Sequence, residues 1–151
     1  MSILIPDKEF QRLLSLKKTF TSDFELPTEN DKAYFILRTD TKESFQLNIE
    51  RKNTYEVYKS KTQTAYYKEP LLRIEVDAPP HTNPDGTLIG RNHIHIYREG
   101  FGLRWAYPLQ DFHDIYFKDP FDFPVLFADF CNYFNIENNF IIQGVLSCFR
   151  T

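Results

Sequence analysis

Phe45-Gln46-Leu47-Asn48-Ile49-Glu50 decides the fold, because three apolar side chains alternate there with three polar ones. Successive strand residues point to opposite faces, so a period of two predicts a half-buried antiparallel strand with one wet face. The segments on either side extend the pattern. Residues 33–38 read as the preceding strand and 51–54 as a turn. Residues 55–65 form a more polar strand, with Tyr55, Val57 and Lys59 on one side and Glu56, Tyr58 and Ser60 on the other. Leu72, Ile74 and Val76 alternate with Arg73 and Glu75 in the next strand. An Asn83-Pro84-Asp85-Gly86 turn, a strand over 92–98, a Glu99-Gly100-Phe101-Gly102 turn and a strand over 103–107 complete a meander of five or six strands.

Both flanks of the meander read as helical. Pro6 with Asp7 and Glu9 suits a first turn, and Phe10, Leu13 and Leu14 share a face, which predicts a helix over residues 6–18. After the meander, Asp119 or Asp122 can cap a second helix that starts near Asp122 or Phe123, with Pro124 in its first turn. Phe123, Phe127, Phe130, Cys131 and Phe134 form its apolar stripe, which is expected to cover one sheet face. The apolar residues of 139–151 are expected to pack as a last strand or short helix. The fold class is therefore α+β: an antiparallel sheet of five or six strands with an N-terminal and a C-terminal helix packed on it.

With 151 residues, 17% of them aromatic, the chain is long and apolar enough for one domain with one core, and it is not a disordered chain. Cys131 and Cys148 show no metal-type spacing and are too few for a disulfide framework, which points to a reducing cytoplasm. No apolar run approaches membrane-spanning length, and the first residues lack the basic start of a secretion signal. A formal net charge of −3 argues against simple nucleic-acid binding, but the charges are segregated. Residues 51–73 hold six basic residues against two acidic ones, and residues 106–137 hold six carboxylates against one lysine. The basic segment suits RNA, DNA or an acidic partner; the acidic one suits a basic groove.

Residues 79–109 concentrate the chemistry, with three of the four histidines, four of the five glycines and the single tryptophan. In a strand, His93, His95 and Tyr97 share one face, while Ile94 and Ile96 point the other way. His81, before a tight turn, can fold back over the pair. His81, His93 and His95 would then make a Zn2+ site, with water, Asp85 or Glu99 as the last ligand. Alternatively the imidazoles act as acid and base, with Arg98 or Arg104 holding a phosphate. The His93, His95 and Glu99 spacing matches the core of the cupin metal motif, but the glycines before it stand at other distances and no second motif follows. Tyr58, Tyr66 and Tyr67, interleaved with Lys59, Lys61 and Lys68, offer stacking platforms beside phosphate contacts for single-stranded RNA. An edge hairpin kept soluble by its lysines has the same composition.

Three blocks, Pro-Pro-His-Thr-Asn-Pro-Asp-Gly at 79–86, His-Ile-His-Ile-Tyr-Arg-Glu-Gly at 93–100 and Trp-Ala-Tyr-Pro-Leu at 105–109, carry a resemblance to a family. The chain resembles uncharacterised small proteins of Gram-positive bacteria and their phages, a likeness that implies no activity. The Asp77-Ala78-Pro79-Pro80-His81 stretch followed by a His-x-His strand is similar, over about twenty residues, to His-rich toxins of toxin-antitoxin pairs. That similarity implies an RNA-directed, toxin-like ribonuclease from a mobile element, with a cognate antitoxin as partner. In it, His81, His93 and His95 would supply acid and base or hold metal, and Arg98 and Arg104 would stabilise the phosphorane charge. The competing expectation is a non-enzymatic, phage-encoded inhibitor of the anti-defence or anti-CRISPR type. It would bind a host nuclease through Asp111, Asp114 and Asp119, and a structural zinc fits either expectation.

Overall fold

The computed structural model describes residues 4–54, 58–111 and 117–138. Helix α1 spans Asp7–Ser15, with Pro6 at its N-cap position and Asp7 and Glu9 in its first turn. It stops before the expected residue 18 because Leu16 is already extended, which sends Lys18 inward. Among the described residues nine strands follow: β1 (Thr19–Phe20), β2 (Lys32–Arg38), β3 (Ser44–Asn53), β4 (Tyr58–Tyr66), β5 (Glu69–Val76), β6 (His81–Thr82), β7 (Leu88–Ile89), β8 (His93–Ile96) and β9 (Ala106–Pro108). Helix α2 spans Phe123–Tyr133.

Seven strands form one antiparallel sheet in the order β1-β2-β3-β4-β5-β8-β9, while β6 and β7 pair as a separate ribbon. The count exceeds the expected five or six because the two-residue β1 adds itself to the edge of β2, pairing Thr19 with Arg38. β9 begins at Ala106 rather than near residue 103, since the chain is still closing the turn that bridges Arg98 and Gly102.

The alternation at residues 45–50 does what it predicts. Phe45, Leu47 and Ile49 are fully buried, and their neighbours Leu72, Ile74, Val76 and Ile94 continue the same face across the sheet. Both helices cover that face. Phe10 and Leu13 come from α1; Phe123, Phe127 and Phe130 come from α2 and Phe134 is its C-cap, with Phe127 stacked on Phe24 at 5.2 Å and Phe134 edge-on to Phe45 at 5.6 Å. The Asp122 carboxylate caps α2 by accepting from the Val125 N–H, as the sequence pattern requires.

Tyr97 corrects one expectation. It does not face the same way as His93 and His95; its backbone N–H turns to the Leu71 carbonyl and its ring packs on Phe10 in the core at 5.6 Å. Its hydroxyl donates to the Ile5 carbonyl and accepts from the Ile5 N–H, which fastens the N-terminus to the sheet. Alternation ends with β8 at Ile96. The expectations for Tyr55, Glu56 and Val57, for Asp114, and for residues 139–151 lie outside the described residues.

Candidate metal centre and the groove beside it

The face of the sheet turned away from the helices is built from cross-strand rows. One row runs Lys32, Glu50, Lys61, Glu75, His93 across β2, β3, β4, β5 and β8, each residue directly opposite the next. The adjacent row runs Tyr34, Asn48, Gln63, Arg73, His95, Ala106. Directly paired residues stand within side-chain reach. Antiparallel registration therefore delivers one carboxylate, from β5, to two imidazoles on β8.

The resulting group is tight. His93 Nε2 lies 3.1 Å from Glu75 Oε2, and His95 Nε2 lies 3.8 Å from the same oxygen. One ligand atom from each of Glu75, His93 and His95 falls within 4.8 Å of the others, so the group can hold a metal ion. Both rings are buried, at 0% and 5% exposure, and Glu75 is the member that opens to the surface.

Proton positions follow from the acceptors. His93 Nδ1 lies 2.7 Å from the Gly90 carbonyl and His95 Nδ1 2.7 Å from the Leu103 carbonyl. A carbonyl only accepts, so both Nδ1 atoms carry hydrogen, and in the neutral rings both Nε2 atoms present lone pairs toward the carboxylate. Three electron-rich atoms then face one another without a hydrogen between them. Either a proton or a cation must occupy the space. Ring N–H groups fixed on backbone carbonyls are the arrangement that orients histidine ligands around metals. Without a metal, the His93 hydrogen bond and then the His95 one hold the Glu75 carboxyl far below the ordinary carboxylate range. For His93 the largest influence, burial, works against the charged ring, but the Glu75 and Gly90 partners outweigh it and raise the pKa.

His81 does fold back over the pair. It sits on the β6–β7 ribbon with its ring 4.7 Å from that of His95 and 6.1 Å from that of His93, centre to centre. Its Nε2 donates to the Arg104 carbonyl at 2.8 Å, leaving Nδ1 without a proton in the neutral ring. It stands beside the Glu75–His93–His95 group rather than within it. Asn83 pins the ribbon down: its amide nitrogen donates to the Ala106 carbonyl at 3.0 Å and its oxygen accepts from the Ala106 N–H at 2.8 Å.

The other expected site residues are dispersed. Asp85 accepts from the Thr87 N–H within its own turn, and Glu99 accepts from the Asp7 N–H at the start of α1, so Glu75 takes the place foreseen for either. The Arg98 guanidinium stacks on Trp105 at 4.2 Å and donates to the Tyr107 hydroxyl, and that of Arg104 stands 6.0 Å from the Phe101 ring. Tyr58 and Tyr66 lie on the helix-covered face, Tyr58 accepting from the Phe123 N–H and Tyr66 packing on Phe45. Tyr67 and Lys68 form the β4–β5 turn at the far end of the hairpin. Among the acidic residues of 106–137, Asp119, Asp122 and Asp129 each accept a backbone N–H around α2.

Lys59 and Lys61 do come together, with partners that strand patterning does not reveal. They line a groove of about 560 Å³ with Lys32, Arg51, Lys52, Glu50, Glu75 and Pro79. Arg51 is engaged, donating to the Pro27 carbonyl and lying over Phe123 at 4.4 Å. None of the four lysines forms an ion pair among the described residues. Glu75 is thus shared between the groove and the histidine pair.

No helix among the described residues is long and apolar enough to cross a membrane. Comparison with curated proteins and with solved structures finds no match. Residues 5–136 match the model of a family of unknown function, DUF6978, and the chain belongs to that family.

Proposed function

We propose that the protein is an RNA-directed, toxin-like ribonuclease whose centre is Zn2+ held by Glu75, His93 and His95. The observation that carries this reading is the meeting of three potential donor atoms, one each from Glu75, His93 and His95, within 4.8 Å of one another, with both imidazoles oriented by backbone carbonyls and Glu75 opening onto a lysine-lined groove. Two nitrogens and one carboxylate oxygen suit zinc, and three protein ligands leave a fourth position open. A bound zinc supplies Lewis-acid polarisation of a phosphoryl oxygen. The chain supplies the remainder. Lys61, paired in register with Glu75, offers positive charge where a phosphate would approach. His81, unprotonated at Nδ1 beside His95, is the group placed to accept a proton. A cytoplasmic setting, a mobile-element origin and an antitoxin partner belong to the same reading; they rest on the two cysteines without metal-type spacing and on the resemblance of residues 77–95 to His-rich toxins.

The test is metal analysis of the purified protein, followed by RNA cleavage with and without zinc for the wild type and for Glu75→Gln and His93→Ala. About one zinc per chain, with cleavage lost in both variants while their circular dichroism is kept, is the expected result. Cleavage that survives exhaustive chelation would move the chemistry to acid and base work by the imidazoles. A zinc-loaded protein that leaves RNA intact but captures a host nuclease through residues 106–137 would replace the ribonuclease by the inhibitor.

A further inference from the structure

We infer that the groove formed by Lys32, Lys52, Lys59 and Lys61, with Tyr34 beside it, is a binding site for single-stranded RNA that leads the strand to Glu75. The inference rests on the ribonuclease reading for the identity of its ligand, but binding itself needs no metal. Four lysines from three neighbouring strands converge on one groove, and none is neutralised by an ion pair among the described residues, although Glu50 and Glu75 stand within the same lining. Unpaired ammonium groups gathered at that density repel one another, and the repulsion is relieved by a polyanion.

An acidic peptide would satisfy the charge equally well, but Tyr34 favours RNA. It is 57% exposed, lies two residues from Lys32 on the same face of β2 and heads the row that runs to His95. An exposed aromatic ring flanked by backbone-tracking cations is the combination that binds single strands, with a base stacked on the ring and phosphates on the lysines. A groove of about 560 Å³ has the size of an ordinary small-molecule cleft, which admits a nucleotide or two of an unpaired strand rather than a duplex. The order of residues along the first row, Lys32, Glu50, Lys61, Glu75, His93, then runs from the phosphate contacts to the metal centre.

The probe is a fluorescein-labelled twelve-nucleotide oligouridylate, titrated by fluorescence anisotropy in chelating buffer over a range of salt concentrations. Wild-type protein is expected to bind with an affinity that falls steeply with salt. Lys59→Ala/Lys61→Ala should weaken binding roughly tenfold or more and reduce the log–log salt slope by about 1.4, at about 0.7 for each phosphate left without its lysine. Tyr34→Ala should weaken binding with the slope unchanged. Lys8→Ala/Lys42→Ala, which removes two exposed lysines outside the groove, should bind as wild type does. Equal binding by the wild type and the Lys59/Lys61 variant overturns the site, as does preference for a polyglutamate peptide over the RNA. Because chelated protein is used, loss of binding speaks against the groove alone. Intact binding without cleavage in zinc speaks against the hydrolytic reading alone.

Discussion

His93 Nε2 and Glu75 Oε2 stand 3.1 Å apart, and with His93 Nδ1 already donating to Gly90 the neutral ring has no proton to place between them. A divalent ion held by Glu75, His93 and His95 would remove that conflict, and because the group is assembled only in the folded chain, zinc is expected to stabilise the protein under the proposed reading. At free zinc a hundredfold above Kd the gain is about 2.7 kcal/mol. Glu75→Gln should keep the fold, since the new amide can donate to His93 Nε2, but the loss of the anionic ligand should remove most of the zinc-dependent rise in Tm. Calorimetry with and without zinc checks both. Equal shifts for the wild type and Glu75→Gln would show that the ion binds elsewhere.

Asn83 anchors the ribbon that carries His81. Its side-chain amide pairs with both backbone groups of Ala106 and is the ribbon's two-point attachment to β9. Asn83→Asp replaces the donor with a second oxygen facing the Ala106 carbonyl, and leaving a buried acceptor unmatched costs about 1–3 kcal/mol. The sheet has its own ladders, so that loss should appear as faster amide exchange over residues 79–90 with the β2–β5 amides still protected. Under the proposed reading, RNA cleavage should fall because His81 loses its orientation, while zinc content stays near one. Uniform loss of protection across the sheet would show that the ribbon is part of the global folding unit.

The contrast between Glu75 and Glu99 shows where strand patterning reaches its limit. Periodicity within residues 45–50, 72–76 and 93–96 is local, and it puts Glu75 on the face away from Ile74 and the histidines on the face away from Ile94. What joins Glu75 to His93 is the registration of β5 against β8 across an intervening ribbon, a long-range choice made by packing. Glu99 is nearer in sequence to the histidines, yet it binds the Asp7 backbone 92 residues away. The aromatic stripe of α2 is legible for the same reason as the strands, since one helix face suffices to define it. Tyr97 departs from its expected face because it lies one residue past the end of β8, where alternation no longer applies. Lys32 and Lys52 are not recognisable as groove residues from their own segments, because each lies on a different strand from Lys59 and Lys61.

β4 turns Ser60, Thr62 and Thr64 toward the core, and all three hydroxyls are buried without a hydrogen-bond partner among the described residues. Thr62 lies between Ile49 and Ile74 in the ladder. Thr62→Val keeps the branched shape and removes a polar group that no described residue satisfies. The change should therefore stabilise the protein, by about 1 kcal/mol, where most core substitutions destabilise. Urea denaturation reads the sign directly. A destabilised variant would reveal that the hydroxyl has a partner in solution, such as a bound water.

Lys18 is fully buried, and its ammonium donates to the carbonyls of Leu14, Leu16 and Phe134 while lying over the Phe134 ring at 3.8 Å. These acceptors belong to the C-terminal ends of α1 and α2, where unpaired carbonyls and the helix dipoles favour a cation, so one side chain ties both helices together. Lys18→Met removes the donor from one buried and two partly buried carbonyls and should cost about 2 kcal/mol or more, on the order of 1 kcal/mol per carbonyl left unmatched. Burial also lowers the amine from 10.5 to about 7. Between those values the unfolded chain holds a proton that the folded chain has released, so stability should rise as pH climbs from about 7 toward 10.5 and lie flat with respect to this group below 7. The three carbonyls favour the charged form, which narrows the pH window of the rise and makes its total smaller than burial alone would give. Urea denaturation of the wild type and Lys18→Met across about pH 6 to 10 separates the two effects: the variant should be weaker throughout and should lack the rise. Parallel curves would mean that Lys18 keeps its ordinary pKa inside the fold and acts solely as a charged clamp.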